Sequence, residues 1–82
     1  MFDGETLWVP ERVIVSPGSG VFVPEATGSD LDEGQVIGFV RRPGDEHLPV
    51  TSPFAGHLVS MYALDGERAA LHDRIAWMRA AA

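Results

Sequence analysis

Cysteine and lysine are both missing from the 82-residue sequence. Without cysteine there is no disulfide framework, no thiolate metal site and no thiol nucleophile. That absence fits a reducing compartment. No apolar run approaches the roughly 18 residues that a membrane-spanning helix needs. The opening "MFDGETLWVP" is acidic and carries no long apolar stretch, so no secretion leader is expected and the expected location is cytoplasmic. Cations are few, and each one is arginine: Arg12, Arg41, Arg42, Arg68, Arg74 and Arg79. They face 12 acidic residues, for a net charge of −6. A surface this acidic repels phosphate backbones and anionic lipid, which argues against nucleic acid and membrane as partners.

What is present reads as one small folded domain. Hydrophobic residues at 45% and charged residues at 22% are ordinary globular values. A chain of this length buries only a small core and is marginally stable unless its architecture is repeated or idealised.

The chain is a repeat of two halves. "SPGSGVFV" (16–23) lies over "SPFAGHLV" (52–59), matching Ser16 with Ser52, Pro17 with Pro53, Gly20 with Gly56 and Val23 with Val59. "GSDLDEGQVIGFV" (28–40) lies over "GERAALHDRIAWM" (66–78), matching Gly28 with Gly66, Ile37 with Ile75 and Phe39 with Trp77. The offset grows from 36 to 38 between the two alignments, which places a two-residue insertion in the second copy's loop around 60–65.

Each half has the same grammar. A β-rich run ends at Ser-Pro, and proline suits a strand edge because it donates no hydrogen bond. A glycine three residues after the proline permits a tight bend. A short strand follows (21–23 or 58–61), then a polar loop, then an alternating strand containing Ile37 and Phe39 or Ile75 and Trp77. Short strands at regular spacing predict an all-β sandwich or barrel. The C-terminal "AALHDRIAWMRAAA" has helix-favouring residues. Its counterpart "EGQVIGFV" has two glycines and three β-branched residues, so the repeat assigns 74–79 to a strand.

The stretch "FVRRPGDEHLPV" (39–50) joins the halves and reads as a hairpin with an exposed tip. A pseudo-two-fold between the halves places that tip near the axis, at the end opposite the chain termini. The hairpin holds no Lys, Cys, Ser or Tyr that could act as nucleophile or attachment point.

Other candidate chemistry is thin. Asp45, Glu46 and His47 are adjacent on a turn, and only alternate hairpin residues share a face, so they make a poor metal cage. His57 and His72 occupy equivalent-looking loop or strand-edge positions without matching partners. Asp30, Asp32 and Glu33 lack the closing glutamate of a calcium loop. "SPGSG" precedes a strand and has no Lys-Ser/Thr ending, so it is no phosphate loop. Ser16, Ser19 and Ser60 stand in no nucleophile motif. Arg41 and Arg42 beside the acidic tip suit a surface ion pair or a protein contact. Phe2, Leu7 and Trp8 on the N-terminal arm either pack on the barrel or mark a docking or dimer surface. A barrel this small is filled by its own side chains. No catalytic or metal-binding residue is therefore expected, and the chain is read as a non-enzyme.

Over 13–79 this pattern resembles the biotinyl/lipoyl carrier domain family. "SPGSGVF" looks like the family's first Ala-Pro-x-x-Gly turn, and "GSDLDEGQVIGFV" like its "GDxVxxGQxLxxI" segment. "SPFAGHLV" looks like the "APxxGxV" after the modified hairpin, and "DGERAALHDRIAWM" like the second "GDxVxxGQxL". The "TSPFAG" segment places it nearer the carboxylase-type biotin carriers than the lipoyl ones. The resemblance implies an all-β barrel-sandwich hybrid, a flattened barrel of two quasi-symmetric four-stranded antiparallel sheets. It divides the chain into an arm (1–10) and a domain (11–80), with halves at about 13–40 and 48–79. It also implies that the tip Gly44, Asp45, Glu46 replaces the family's Met-Lys-Met, with Asp45 at the modified lysine. A carboxylate cannot stand in for a primary amine as acyl acceptor, so neither biotin nor lipoate is expected as cofactor. The expected role is an unmodified, non-catalytic accessory or docking subunit of an acyl-CoA carboxylase-type or other multienzyme system. Arg41, Arg42, Asp45, Glu46, His47, Phe2 and Trp8 are its candidate partner-binding residues, and a homo-oligomer is possible. The alternative is a protein-interaction or ligand-binding hybrid-barrel module unrelated to carboxylases.

Overall fold

The computed structural model describes residues 11–81. The arm, with Phe2, Leu7 and Trp8, and the boundary at residue 10 lie outside the described residues. Runs rich in β-branched and aromatic residues become β1 (Glu11–Val15), β2 (Gly20–Pro24), β4 (Val36–Arg41), β5 (His47–Thr51), β6 (Gly56–Met61) and β8 (Arg74–Ala80). Two short strands, β3 (Asp30–Leu31) and β7 (Arg68–Ala69), form inside the loops read as polar. The C-terminal segment is a strand, as the repeat required. The strands make two four-stranded antiparallel sheets, β1-β8-β6-β3 and β5-β4-β2-β7. Replacing each strand by its counterpart in the other half turns one sheet into the other. The fold is the quasi-symmetric hybrid barrel the sequence implied.

Every connection crosses between sheets except the hairpin from β4 to β5, which stays in one. The Ser-Pro segments make two of the crossings, and both serines are buried there. The Ser16 hydroxyl donates to the Gly18 carbonyl at 2.6 Å, and that of Ser52 to the Phe54 carbonyl at 2.5 Å. Gly20 and Gly56, four residues after each serine, press against the neighbouring strand. A Cβ at either would collide with a backbone carbonyl, that of Arg41 or of Arg79. The recurring Ser-Pro-x-x-Gly is therefore a corner that permits no side chain at its last position.

The core follows the same symmetry. Ile14 matches Val50, Leu31 matches Ala69, Ile37 matches Ile75, and Val40 matches Met78, all buried. One exchange of volume differs between the halves. Phe22 is fully buried, and a Cβ at Gly38 would lie 2.6 Å from its ring and 2.8 Å from the Val23 carbonyl. The corresponding positions in the second half hold Leu58 and Ala76. One half combines a large ring with no side chain, the other a smaller side chain with a methyl group.

Three details correct the sequence reading. Phe39 and Trp77 match each other but face outward and are only half-buried; the buried residues around them are Ile37, Gly38, Val40 and Ile75, Ala76, Met78. The insertion begins earlier than 60. Val59 is an extra residue in β6, since Leu58 pairs with Met78 and Ser60 with Trp77. Val23 therefore corresponds structurally to Ser60, not Val59. The second added residue is at 62–63, where two amides, Tyr62 and Ala63, donate to the Ile75 carbonyl; Glu25 alone donates to Ile37. Finally, the hairpin tip does not sit near the pseudo-axis. β4 ends at Arg41, beside Val21 and His47, whereas β8 ends at Ala80, beside Gly56. The pseudo-two-fold carries the Arg41–His47 pair onto Arg79–Glu11. Tip and chain ends thus occupy opposite poles, each away from the axis.

The volume exchange is testable by a double-mutant cycle. Gly38→Ala is expected to destabilise by about 1–3 kcal/mol through overpacking. Phe22→Leu in that background, which copies Leu58–Ala76, is expected to recover about 1 kcal/mol in denaturant unfolding. Strictly additive losses would show that the ring and the glycine are not coupled.

Candidate functional site

The site the sequence singled out is the tip between β4 and β5. The Arg42 amide donates to the Glu46 carbonyl at 2.7 Å and closes the hairpin. Within that loop Gly44 and Asp45 have φ of 82° and 65°. Two successive left-handed residues are what a primed hairpin turn needs, and glycine and aspartate are among the residues that tolerate it. Asp45 is exposed at the apex.

Its neighbours divide between tip and sheet. Arg42 Nε lies 3.7 Å from Glu46 Oε1, the surface ion pair expected across the hairpin. Both side chains are about half exposed, so the pair contributes little stability. Arg41 and His47 are not on the tip. They pair with each other at the end of the two strands, and His47 packs near the outward Phe39 ring at 6.1 Å between centroids. Asp45, Glu46 and His47 do not converge. Among the described residues no group of three His, Asp or Glu side chains could hold a metal ion.

The remaining candidates are placed elsewhere. Asp30 pairs with His57, 2.5 Å from Asp30 Oδ1 to His57 Nδ1, while the Asp32 amide donates to Gln35 Oε1 at 2.9 Å. The acidic loop is thus split and encloses nothing. His57 and His72 are not equivalent. His57 is on β6, at the position equivalent to Val21, and His72 sits in the turn before β8 with φ of 71°, where the first half has Gly34 at 80°. Ser19 Oγ accepts the Leu71 amide at 3.3 Å. It borders an open depression of about 320 Å³ lined by Arg68, Ala69, Ala70 and Asp73. The lining contains no base poised against that hydroxyl. Sequence reasoning missed Arg68 and the Glu11–Arg79 pair at 2.8 Å. Both depend on cross-strand register, which a single arginine in a loop-like stretch does not signal.

No protein-family model matches the chain, and no curated protein matches it. Solved structures do. A single-chain, multi-domain long-chain acyl-CoA carboxylase matches at a TM-score of 0.76 and 15% identity, covering 88% of this chain and 7% of that one. Kluyveromyces lactis urea carboxylase matches at 0.73 and 17% identity, over 84% of this chain and 6% of that one. An aspartoacylase family protein from Mesorhizobium loti matches at 0.69 and 16% identity, over 84% and 25%. At such identities the likeness shows the fold alone. That fold agrees with the hybrid barrel the sequence implied. The chain spans less than a tenth of either carboxylase and a quarter of the third protein.

The tip geometry sets an expectation for Asp45. Asp45→Gly is expected to change stability by less than about 0.5 kcal/mol, because glycine accepts positive φ freely. Asp45→Val is expected to cost about 1–2 kcal/mol, the penalty of a β-branched residue in the left-handed region. Equal urea midpoints for the two variants would rule out the left-handed turn.

Proposed function

We propose that the chain is an unmodified, carrier-like domain that serves a carboxylase-type or other multienzyme system as a non-catalytic accessory or docking piece. One observation carries this reading. The hairpin apex, where the resembled family bears its lysine, is occupied by Gly44 and Asp45 in a left-handed turn, and the sequence offers no lysine in any register. An amide to biotin or lipoate needs a primary side-chain amine, which this sequence does not supply. The fold shared with segments of two carboxylases supports the choice of partner. The exposed tip supports docking rather than catalysis, since no side chain there is positioned against a base or a second carboxylate. Localisation in the cytoplasm goes with this reading. The likeness to the aspartoacylase family protein favours a second one, a hybrid-barrel module working with an enzyme of another kind.

Two measurements test the proposal. The intact mass of the chain from its native host is expected to equal that of the unmodified sequence; a covalently attached prosthetic group would refute the unmodified role. Sedimentation with purified carboxylase subunits from the same host is expected to show a complex of defined stoichiometry, with Kd in the micromolar range, about −8 kcal/mol. Failure to associate with any carboxylase or related multienzyme subunit would remove the accessory role.

A further inference from the structure

The two sheets provide the same surface positions twice, and at one row their charges have diverged. On the outer face of the first sheet, cross-strand register aligns Asp30, His57, Arg79 and Glu11. That row pairs its groups within itself, through Asp30–His57 at 2.5 Å and Arg79–Glu11 at 2.8 Å. The pseudo-two-fold maps it onto Arg68, Val21, Arg41 and His47 across β7, β2, β4 and β5. This second row holds two arginines and a histidine and no acid. Among the described residues, no ion pair or side-chain hydrogen bond engages Arg41 or Arg68. The acids at that pole are otherwise engaged. Glu46 faces Arg42, Glu67 accepts the Leu64 amide at 2.9 Å, and Asp73 accepts the Ala70 amide at 2.8 Å. Asp45 stands beyond the row in the tip turn.

Beside the cationic row runs an apolar one. Val23, Phe39 and Pro49 align across β2, β4 and β5 on the same outer face, because Phe22, Gly38 and Val40 between them point inward. Arg41 and Arg68 are separated by β2, so their Cα atoms are about 10 Å apart, twice the strand spacing. The apolar row lies about 7 Å away, two residues along each strand.

We propose that this face docks an extended acidic segment of a partner protein, lying across the strands with carboxylates toward Arg68 and Arg41 and apolar side chains toward Phe39 and Val23. An extended chain points alternate residues to opposite sides, so an acidic and apolar alternation meets both rows together. Arginine's fork binds carboxylates in a bidentate way, and its stem reaches the spacing required. Charge complementarity selects the ligand class. A net charge of −6 opposes a long polyanion, whereas two discrete carboxylates need only two local arginines. The proposal rests on the docking role above, naming the surface and the chemistry of the partner.

The test is an NMR titration of the full ¹⁵N-labelled chain with a synthetic peptide alternating glutamate with valine and phenylalanine. Amide shifts are expected at Val21, Phe39, Arg41, His47 and Arg68, weakening as salt rises. Arg41→Gln with Arg68→Gln, both exposed and so expected to leave the rest of the spectrum in place, is expected to weaken binding about tenfold. Glu11→Gln with Arg79→Gln is expected to leave it unchanged. The proposal is overturned if the peptide causes no shifts, or if they map to the Glu11 and Arg79 row. It is equally overturned if polyphosphate or phosphatidylserine vesicles bind the face as tightly as the peptide. Binding that emerges only in an Asp3→Asn, Glu5→Gln variant would assign the face to the chain's own arm and also overturn it. A carboxylase subunit whose association survives the arginine double variant would keep the accessory role and discard this surface.

Discussion

The structure depends on two corners where the chain leaves one sheet for the other. At each corner a serine joins the two sheets through its backbone. Ser16 donates to the Asp73 carbonyl at 2.8 Å and accepts from the His72 amide at 2.9 Å. Ser52 does the same with Gln35 at 2.9 Å and Gly34 at 2.8 Å. Both side chains are buried, so an unpartnered hydroxyl would cost about 1–3 kcal/mol. Each avoids that penalty by donating to the carbonyl two residues on, and Ser52 Oγ also lies 3.2 Å from Met78 Sδ. The following glycine then has to pass against a neighbouring carbonyl. Serine, proline and glycine are thus fixed at these places by packing and hydrogen bonding, independent of any chemistry the protein performs. With alanine at three core positions, Ala63, Ala69 and Ala76, the hydrophobic core is modest, and these corners take on part of the specification of the fold.

That division of labour leaves the hairpin tip free to vary. It is the one connection that does not cross between sheets, it lies at a pole, and its own turn is closed by a single backbone bond. Asp45 is exposed. A tip that holds up no part of the barrel can vary in sequence at little cost to folding, provided the turn residues accept positive φ. The same logic accounts for a TM-score of 0.76 at 15% identity: few positions need particular residues.

Much of this was legible in the sequence. The repeat exposed the corners, and binary pattern with β-branched residues located six strands. What escaped notice depends on register. Two-residue strands such as β3 and β7 bury only Leu31 and Ala69, too few for a period-two signal. Bulges at Ile37 and Ile75 shift the inward set by one residue, so an alternation counted straight along the chain faces Phe39 and Trp77 the wrong way. His72 shows another limit. It holds the left-handed position that glycine holds in the other half, so a conformational match was hidden by a chemical mismatch. The turn between β4 and β5 was legible because glycine, proline and aspartate reveal turns directly. Its division into an apex and a flanking sheet face was hidden, because Arg41 and His47 meet only through pairing.

Internal symmetry also supplies a comparison that an isolated domain lacks. Positions equivalent under the pseudo-two-fold share backbone geometry, neighbouring strands and exposure, so the fold alone gives no reason for them to differ in charge. The core obeys this expectation, with matched burial from Ile14 and Val50 to Val40 and Met78. The outer rows do not. One closes its charges within itself, and the other leaves its arginines open beside an aromatic ring. Neither row holds up the core, so the asymmetry stabilises nothing that packing requires. On a quasi-symmetric barrel, a difference in surface charge between equivalent rows is one that folding does not impose. The surface charges that break the symmetry lie on the sheet flanking the tip, at Arg41 and Arg68, rather than at the apex itself.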